Sequence, residues 1–122
     1  MPRSSATSHE LARVELLAGL PGQTLAVLAK RMVREEVAPG TAVVREGGVG
    51  DRFYVVFAGM LSVTNRDMGE RVILRPGGYF GEVALAMDVP RTTTVTAITP
   101  AVVASCDRAT FDELLRPLFA DD

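Results

Sequence analysis

Glu82 and Arg91 bracket a short apolar stretch in the segment GGYFGEVALAMDVPRTTTVTA, residues 77–97. Gly81 would let another group come close to the backbone. A helix that begins at Glu82 would direct free N–H groups and partial positive charge at an anion such as a single phosphate. Because the same dipole stabilises a carboxylate, Glu82 has two interpretations: a helix-stabilising residue or part of a ligand site.

Arg91 follows Pro90 and precedes a threonine-rich run. The predicted helix has two turns at most, so the chain can fold back and bring Arg91 to the start of that helix. There its guanidinium could bind two phosphate oxygens through short charge-assisted hydrogen bonds. The alternative is a surface arginine or an exposed ion pair with Glu82 or Asp88, which would contribute about 0–1 kcal/mol. These residues alone leave both alternatives open.

Several kinds of chemistry are excluded by residue type. The glycines of GGYFGE have neither the spacing of a dinucleotide-binding motif nor the Gly-Lys-Ser/Thr ending of a triphosphate-binding loop. His9 is the only histidine and Cys106 the only cysteine, which argues against hydrolase centres, zinc sites and an intrachain disulfide. We therefore predict that Cys106 is a small buried residue and that the chain is not an enzyme and uses no cofactor or metal.

The composition is that of one domain of 122 residues with a net charge of −2 and a single lysine, Lys30. It lacks the basic stripe that nucleic-acid binding requires. No apolar run approaches the roughly 20 residues that span a bilayer, so we expect no membrane contact. The polar start MPRSSATSHE lacks the apolar part of a secretory signal, which predicts a cytoplasmic protein with a flexible tail over residues 1–10.

Hydrophobic spacing predicts a mainly β fold with flanking helices. Two short helices are expected, one before and one after GLPG, and the second ends before Ala38. Short β-branched runs then follow at about ten-residue spacing, typical of an antiparallel β-roll or jelly-roll-like barrel; they are TAVVRE, DRFYVVFAG, MLSVTN, RVILR, TTVTAI and AVVASC. A hairpin turn is predicted at RDMGE, residues 66–70, and EVALAM is a short inserted helix.

The chain is predicted to end in a helix with one apolar face, formed by Phe111, Leu114, Leu115 and Leu118. Two caps are possible: Asp107 as N-cap, or a capping box of Thr110 and Glu113. Pro117 is expected to end the helix early.

The motif F-G-E-V-A-L, a short gap and P-R-T-T-T-V-T-A resembles the phosphate-binding cassette of cyclic nucleotide-binding domains. PGTAVVREGGVGDRFYVVFAGMLSV resembles the glycine-punctuated strands of that family, LLAGLPGQTLAVLAKRM its N-terminal helices, and CDRATFDELL the helix after the barrel. The similarity covers about residues 14–116. It implies one cyclic nucleotide-binding domain over residues 11–122, with a β-roll and a short cassette helix.

The resemblance implies a site for a 3′,5′-cyclic nucleotide, cyclic AMP or cyclic GMP. Arg91 would bind the phosphate and Glu82 the ribose 2′-hydroxyl, while backbone amides near Ala84, Leu85 and Thr92 complete the cradle. The resemblance also implies that position 81 requires a small residue, here Gly81, because the sugar-phosphate would lie against it. The expected site residues are Phe80, Gly81, Glu82, Val83, Ala84, Leu85, Arg91, Thr92 and Thr93.

Thr92 and Thr93 depart from the family pattern, which often has Ala or Ser at the first position and Ala at the second. A hydroxyl at the position of Thr92 makes the chain resemble family members that accept cyclic GMP. The side chain of Thr93 either crowds the pocket or faces the barrel. Both residues also suit a strand on propensity alone. The base preference is therefore left open.

The sequence stops where family members usually continue into a helix that covers the base. The expected function is a sensor that relays occupancy to an effector domain in the same or another chain, and a homodimer is compatible with it. The alternative is a ligand-free domain of the same fold that acts as a docking or dimerisation module.

Overall fold

The computed structural model describes residues 4–67 and 71–119. Two antiparallel sheets form the body of the domain, which confirms the mainly β fold and the β-roll. The five-stranded sheet has the order β1-β2-β9-β4-β7, with strands Ser4–Ser5, Val33–Val37, Ala101–Asp107, Arg52–Ala58 and Tyr79–Phe80. The four-stranded sheet has the order β3-β8-β5-β6, with strands Ala42–Val44, Thr94–Ala97, Leu61–Thr64 and Val72–Leu74.

The helices lie at the two ends of the described chain and in one insertion. They are α1 (Ser8–Ala12), α2 (Glu15–Ala18), α3 (Gly22–Arg31), α4 (Glu82–Met87) and α5 (Arg108–Thr110). Helix α5 runs on into a π-helical turn, Phe111–Leu115, and a 3₁₀ turn, Arg116–Phe119; together, residues 108–119 are called the C-terminal helical segment below. None of the helices in residues 4–67 and 71–119 has the length and apolarity to cross a membrane.

Strand β4 shows how the two cores are organised. Phe53 and Val55 pack among the helices, whereas Tyr54 and Val56 pack against the four-stranded sheet. Because successive side chains of a strand point to opposite faces, β4 is buried on both sides. Cys106 is fully buried in the helical core, as predicted, and burial raises the pKa of its thiol to about 12.

The predicted flexible tail is wrong for residues 4–10, while residues 1–3 lie outside the described range. Ser4 and Ser5 pair with strand β2. Thr7 forms a capping box with Glu10, in which the Glu10 amide donates to Thr7 Oγ1 at 3.1 Å and the Thr7 amide donates to Glu10 Oε1 at 3.1 Å. These reciprocal bonds satisfy amides that a helix start leaves free, so the ordered chain begins before the first apolar repeat.

Three N-terminal helices are present instead of the two predicted, and the last of them ends earlier than expected. The first is interrupted at Val14, which has an extended backbone and is the N-cap of α2. Helix α3 ends at Arg31, and Val33–Val37 is a strand that pairs with β9 along its whole length. The helix-favouring Arg and Glu residues of VREEV are therefore overridden by tertiary pairing.

The six predicted strand runs all contain strands, β3, β4, β5, β6, β8 and β9. The pattern missed β1 and β7, which have two residues each, and the charged strand β2. Residues 68–70 of the predicted RDMGE turn lie outside the described range. At its start, the Asp67 amide donates to Asn65 Oδ1 at 2.9 Å.

At the C-terminal end, Asp107 is the N-cap: its Oδ1 accepts a hydrogen bond from the Thr110 amide at 2.9 Å. Glu113 instead pairs with Arg31. Pro117 does not end the helical segment, because the chain tightens into a 3₁₀ turn that includes it. Leu118 lies outside the expected apolar face, being 38% exposed.

Candidate functional site

A cavity of about 270 Å³ opens beside the start of helix α4. Eight of the nine predicted site residues line it, and these are Phe80, Gly81, Glu82, Val83, Ala84, Arg91, Thr92 and Thr93. Its remaining wall is made of residues that the sequence did not single out, mainly from the four-stranded sheet, and these are Val44, Val63, Val72, Leu74 and Tyr79. The cavity is thus apolar on one side and polar at the cassette.

Leu85 is the predicted site residue that does not line the cavity. Its side chain is buried in the helical core, and its amide donates to the Gly81 carbonyl at 3.4 Å. Leu85 therefore anchors helix α4 to the body of the domain. Of its neighbours, Ala84 is buried and Val83 is 40% exposed at the cavity.

Gly81 is the N-cap of α4 and has a left-handed backbone, with φ +99°. A Cβ at this position would lie 2.6 Å from the Arg52 carbonyl oxygen and 2.8 Å from Arg91 Nη1. Glycine is therefore required by the backbone conformation and by neighbouring protein atoms. The protein therefore requires glycine here even without a ligand. This adds to the reason expected from the sequence, which is that a sugar-phosphate would lie against Gly81.

Arg91 is nearly buried, with 5% exposure, and is not the surface arginine of the alternative interpretation. Its Nη2 donates to the Arg52 carbonyl at 2.9 Å, and its guanidinium carbon lies 5.7 Å from the centre of the Tyr54 ring. Its Nε and Nη1 are buried and have no hydrogen-bond partner in the part of the chain that the structure describes. Burial lowers the pKa of this guanidinium, and nearby Tyr54, Asp51 and Glu82 oppose the shift.

The backbone of Arg91 is held by the glycine-rich loop after β3. The Gly47 amide donates to the Arg91 carbonyl at 2.8 Å, and the Arg91 amide donates to the Gly48 carbonyl at 2.9 Å. Further along this loop, Gly50 packs so closely on helix α4 that an added Cβ would collide with the Ala84 side chain. The sequence showed these glycines but not that they position Arg91 and the cassette.

Glu82 is the first residue of α4 and is half-buried. Burial raises the pKa of its carboxyl, while hydrogen bonds from the amides of Glu82 and Val83 and the charge of Arg91 act in the opposite direction. The alternative ion pair of Arg91 with Asp88 is not formed: Asp88 pairs with Arg108 at 3.3 Å. Glu82 is left with a carboxylate at the cavity, able to accept a hydrogen bond from a ligand hydroxyl.

Phe80, Thr92 and Thr93 complete the cassette side of the cavity. The Phe80 ring stacks on Tyr54 at a centroid distance of 4.7 Å and an interplanar angle of 3°. Thr92 is exposed and Thr93 half-buried, and both line the cavity. Thr93 therefore lies at the pocket wall, as one of the two alternatives from the sequence expects.

The other end of helix α4 is tied to the C-terminal helical segment, which the sequence did not reveal. Arg108 donates to the carbonyls of Leu85 and Gly50 at 3.3 and 3.2 Å. Arg116 donates to the carbonyls of Ala86 and Leu85, both at 3.3 Å, and pairs with Asp112 at 2.6 Å. Two arginines thus bond to carbonyls at the end of α4, groups that a helix terminus leaves without partners.

Known proteins are similar to this chain in both sequence and fold. The sequence profile described as cyclic nucleotide-binding domain matches residues 34–117. The chain is 42% identical over 109 residues to a cAMP-dependent protein kinase regulatory subunit of Yarrowia lipolytica, covering 88% of this chain and 29% of that protein. It is 39% identical over 89 residues to a cGMP-dependent protein kinase of Eimeria tenella, covering 73% of this chain and 9% of that one.

Among solved structures, the chain is similar to the regulatory domain of Toxoplasma gondii PKA with cAMP. The TM-score is 0.83 at 29% identity, over 91% of this chain and 44% of the other. The cAMP-bound PfPKA-R structure gives a TM-score of 0.85 at 26% identity, over 91% of this chain and 39% of the other. The chain therefore belongs to the family of cyclic nucleotide-binding domains.

Proposed function

We propose that this domain is a regulatory sensor that binds a 3′,5′-cyclic nucleotide, cyclic AMP or cyclic GMP, and does not convert it. The observation that carries the proposal is the state of Arg91, which lines the cavity nearly buried while two of its guanidinium nitrogens have no partner in the described residues. Leaving a buried donor unpaired costs roughly 1–3 kcal/mol, and more for a charged one. A cyclic phosphate, with one negative charge and two free oxygens, would pair with both nitrogens.

Glu82 would bind the sugar in this proposal. The ribose 2′-hydroxyl is the donor nearest to the cyclic phosphate, and an ionised carboxylate can only accept. Because Glu82 and Arg91 line the same cavity, one ligand can reach both. Pairing would also offset the burial that raises the pKa of Glu82. The base would then lie near Thr92 and Thr93.

Occupancy would be relayed through helix α4. Arg108 and Arg116 connect its end to the C-terminal helical segment, and Phe119 of that segment packs against Tyr79 beside the cavity, with ring centres 5.6 Å apart. A ligand that favours one position of α4 would therefore bias the segment. An effector in the same or another chain would detect that change, as expected for relatives that are regulatory subunits of kinases.

The remaining expectations belong to the same proposal. The proposed sensor would need no catalytic group or cofactor, would act in the cytoplasm, and would contact neither nucleic acid nor membrane. Association of two copies is compatible with it.

The test is calorimetric titration of the domain with cyclic AMP, cyclic GMP, 2′-deoxy cyclic AMP and adenosine. Both cyclic nucleotides should bind saturably, while the deoxy ligand should bind roughly 5- to 150-fold more weakly, because Glu82 loses its donor. Adenosine lacks the phosphate and should not bind measurably. If neither cyclic nucleotide binds at millimolar concentration, the proposal is wrong and the docking or dimerisation module becomes the better interpretation.

A further inference from the structure

We propose that Arg52 is a positioning residue for the ligand-binding arginine. Its side chain fixes the start of strand β4, and its carbonyl then orients the Arg91 guanidinium toward the cavity. The inference rests on the proposed function, because its main readout is the affinity for a cyclic nucleotide. It concerns a residue that does not line that cavity.

The carbonyl of Arg52 orients Arg91 directly. Arg91 Nη2 donates to it at 2.9 Å, whereas Nε and Nη1 have no partner among the described residues. The Tyr54 ring, 5.7 Å from the guanidinium carbon, limits the group on another side. Because a guanidinium is planar, one hydrogen bond and one ring face are enough to set the direction of its remaining donors.

The same carbonyl also limits the cassette. It lies where a Cβ on Gly81 would be only 2.6 Å away, and Arg91 Nη1 is 2.8 Å from that same point. Gly81, Arg91 and the backbone of Arg52 therefore meet with no free space between them. A shift at the start of β4 would therefore move the guanidinium or the start of helix α4.

The Arg52 side chain holds this part of β4 in place. Arg52 is the first residue of the strand and follows the glycine-rich loop. Its Nε donates to Ser105 Oγ at 2.9 Å and its Nη2 to the Ser105 carbonyl at 3.2 Å. Ser105 is fully buried in the neighbouring strand β9, opposite Tyr54. This fork of two hydrogen bonds ties the start of β4 to β9, the central strand of the five-stranded sheet.

A purely structural interpretation would give Arg52 only the task of satisfying the buried Ser105 hydroxyl. Both interpretations predict some loss of stability when Arg52 is removed. The two interpretations differ in how the effect of Arg52 depends on Arg91. If Arg52 positions Arg91, removing Arg52 no longer changes the affinity once Arg91 cannot form its two hydrogen bonds to the phosphate. If Arg52 only stabilises the fold, removing it has the same effect with or without Arg91.

The experiment is a double-mutant cycle of Arg52→Ala and Arg91→Lys, measured by calorimetry with cyclic AMP and cyclic GMP. Arg52→Ala should weaken both nucleotides by the same factor, roughly three- to tenfold, because they share the phosphate. In the Arg91→Lys background the same change should cost less than about twofold. Arg45→Ala is the matched control, since Arg45 is an exposed arginine of the loop before β4, and should leave affinity unchanged.

Ser105→Ala gives a second route if Arg52→Ala does not fold. It removes one acceptor of the fork and keeps the other, so the affinity should fall by less than in Arg52→Ala and again equally for both nucleotides. A spectroscopic readout accompanies it: the Nε–H signal of Arg91, identified by its loss in Arg91→Lys, should shift in free Arg52→Ala and Ser105→Ala but not in Arg45→Ala.

The outcomes separate the two proposals. If the wild-type domain binds but Arg52→Ala and Ser105→Ala bind equally well, or if the loss is the same in the Arg91→Lys background, the positioning role is wrong and the proposed function stands. If the wild-type domain binds neither nucleotide, both proposals are overturned.

Discussion

The two ends of helix α4 both meet arginine side chains, but in opposite states. At its start, Arg91 is 5% exposed and two of its nitrogens have no partner within the described residues. At its end, the side chains of Arg108 and Arg116 are 39% and 42% exposed. Both nevertheless bond to backbone carbonyls and pair with a carboxylate. The more buried arginine is the less satisfied one.

Under the proposed function, this difference separates a binding role at the start of α4 from an anchoring role at its end. Arginines near the end of a helix satisfy its last carbonyls and its dipole, which stabilises the fold. A buried guanidinium with unpaired donors destabilises the free protein. The start of α4 is therefore where a ligand can add most, and the end is where the fold holds the helix. The following substitutions test that division.

Arg91→Ala should have the largest effect on binding. Loss of a buried charged partner of the phosphate costs roughly 2–5 kcal/mol, so both cyclic nucleotides should bind about 30- to 5,000-fold more weakly. Calorimetric titration measures this, with Arg45→Ala as control. An unchanged affinity would show that the phosphate is not bound at the start of α4.

Gly81→Ala should reduce both stability and affinity. The residue has φ +99° and its added Cβ would meet Arg52 and Arg91, so a loss of about 1–3 kcal/mol in unfolding free energy is expected. Gly77→Ala is the matched control, because Gly77 has φ +94° but nothing within 4 Å of an added Cβ. It should lower the melting temperature and leave affinity intact. Equal affinity losses in the two variants would contradict the role of Gly81 at the site.

Glu82→Gln should weaken cyclic AMP by about 1–3 kcal/mol and barely affect its 2′-deoxy form, which lacks the donor for Glu82. Titration of both ligands against both proteins measures this difference. A similar loss for the two ligands would remove Glu82 from the sugar.

The free protein should also show a pH effect of Glu82. Burial raises its pKa above the ordinary 4.5, so the folded state holds the proton more tightly than the unfolded chain. The stability contributed by this residue is therefore complete below pH 4.5 and is lost as the pH rises through the raised pKa. Unfolding of free Glu82→Gln should show a stability gain over wild type near pH 7 that disappears toward pH 4.5. A constant difference across that range would contradict the raised pKa.

Arg116→Ala should have the smallest effect on binding. Its bonds to helix carbonyls are partly exposed, so we expect a loss of about 0.5–1.5 kcal/mol in unfolding free energy and less than about a twofold change in affinity. Thermal unfolding and titration measure the two effects, and Arg116→Lys should lie between wild type and alanine. An affinity loss close to that of Arg91→Ala would contradict the division between the two ends.

Much of the fold followed from local sequence because local and tertiary preferences agree there. The β-branched runs that became β4 and β9 are also largely buried strands, and the run that became β3 is partly buried. The predictions were wrong where local and tertiary preferences disagree. VREEV has helix-favouring residues but pairs with β9, and the polar start of the chain is ordered by a capping box and a two-residue strand. Pro117, expected to end a helix, lies within a 3₁₀ turn instead.

The resemblance of several motifs to a known family was enough to predict a cyclic nucleotide-binding fold and to name Gly81, Glu82 and Arg91 as expected site residues. It could not show that Arg91 is buried with unpaired nitrogens, that Leu85 faces the core, or that Arg52 and Arg116 reach the cassette. Those facts depend on contacts between residues 30 or more positions apart. Burial and hydrogen-bond satisfaction are properties of the packed chain, and only the tertiary structure decides which donors are left for a ligand.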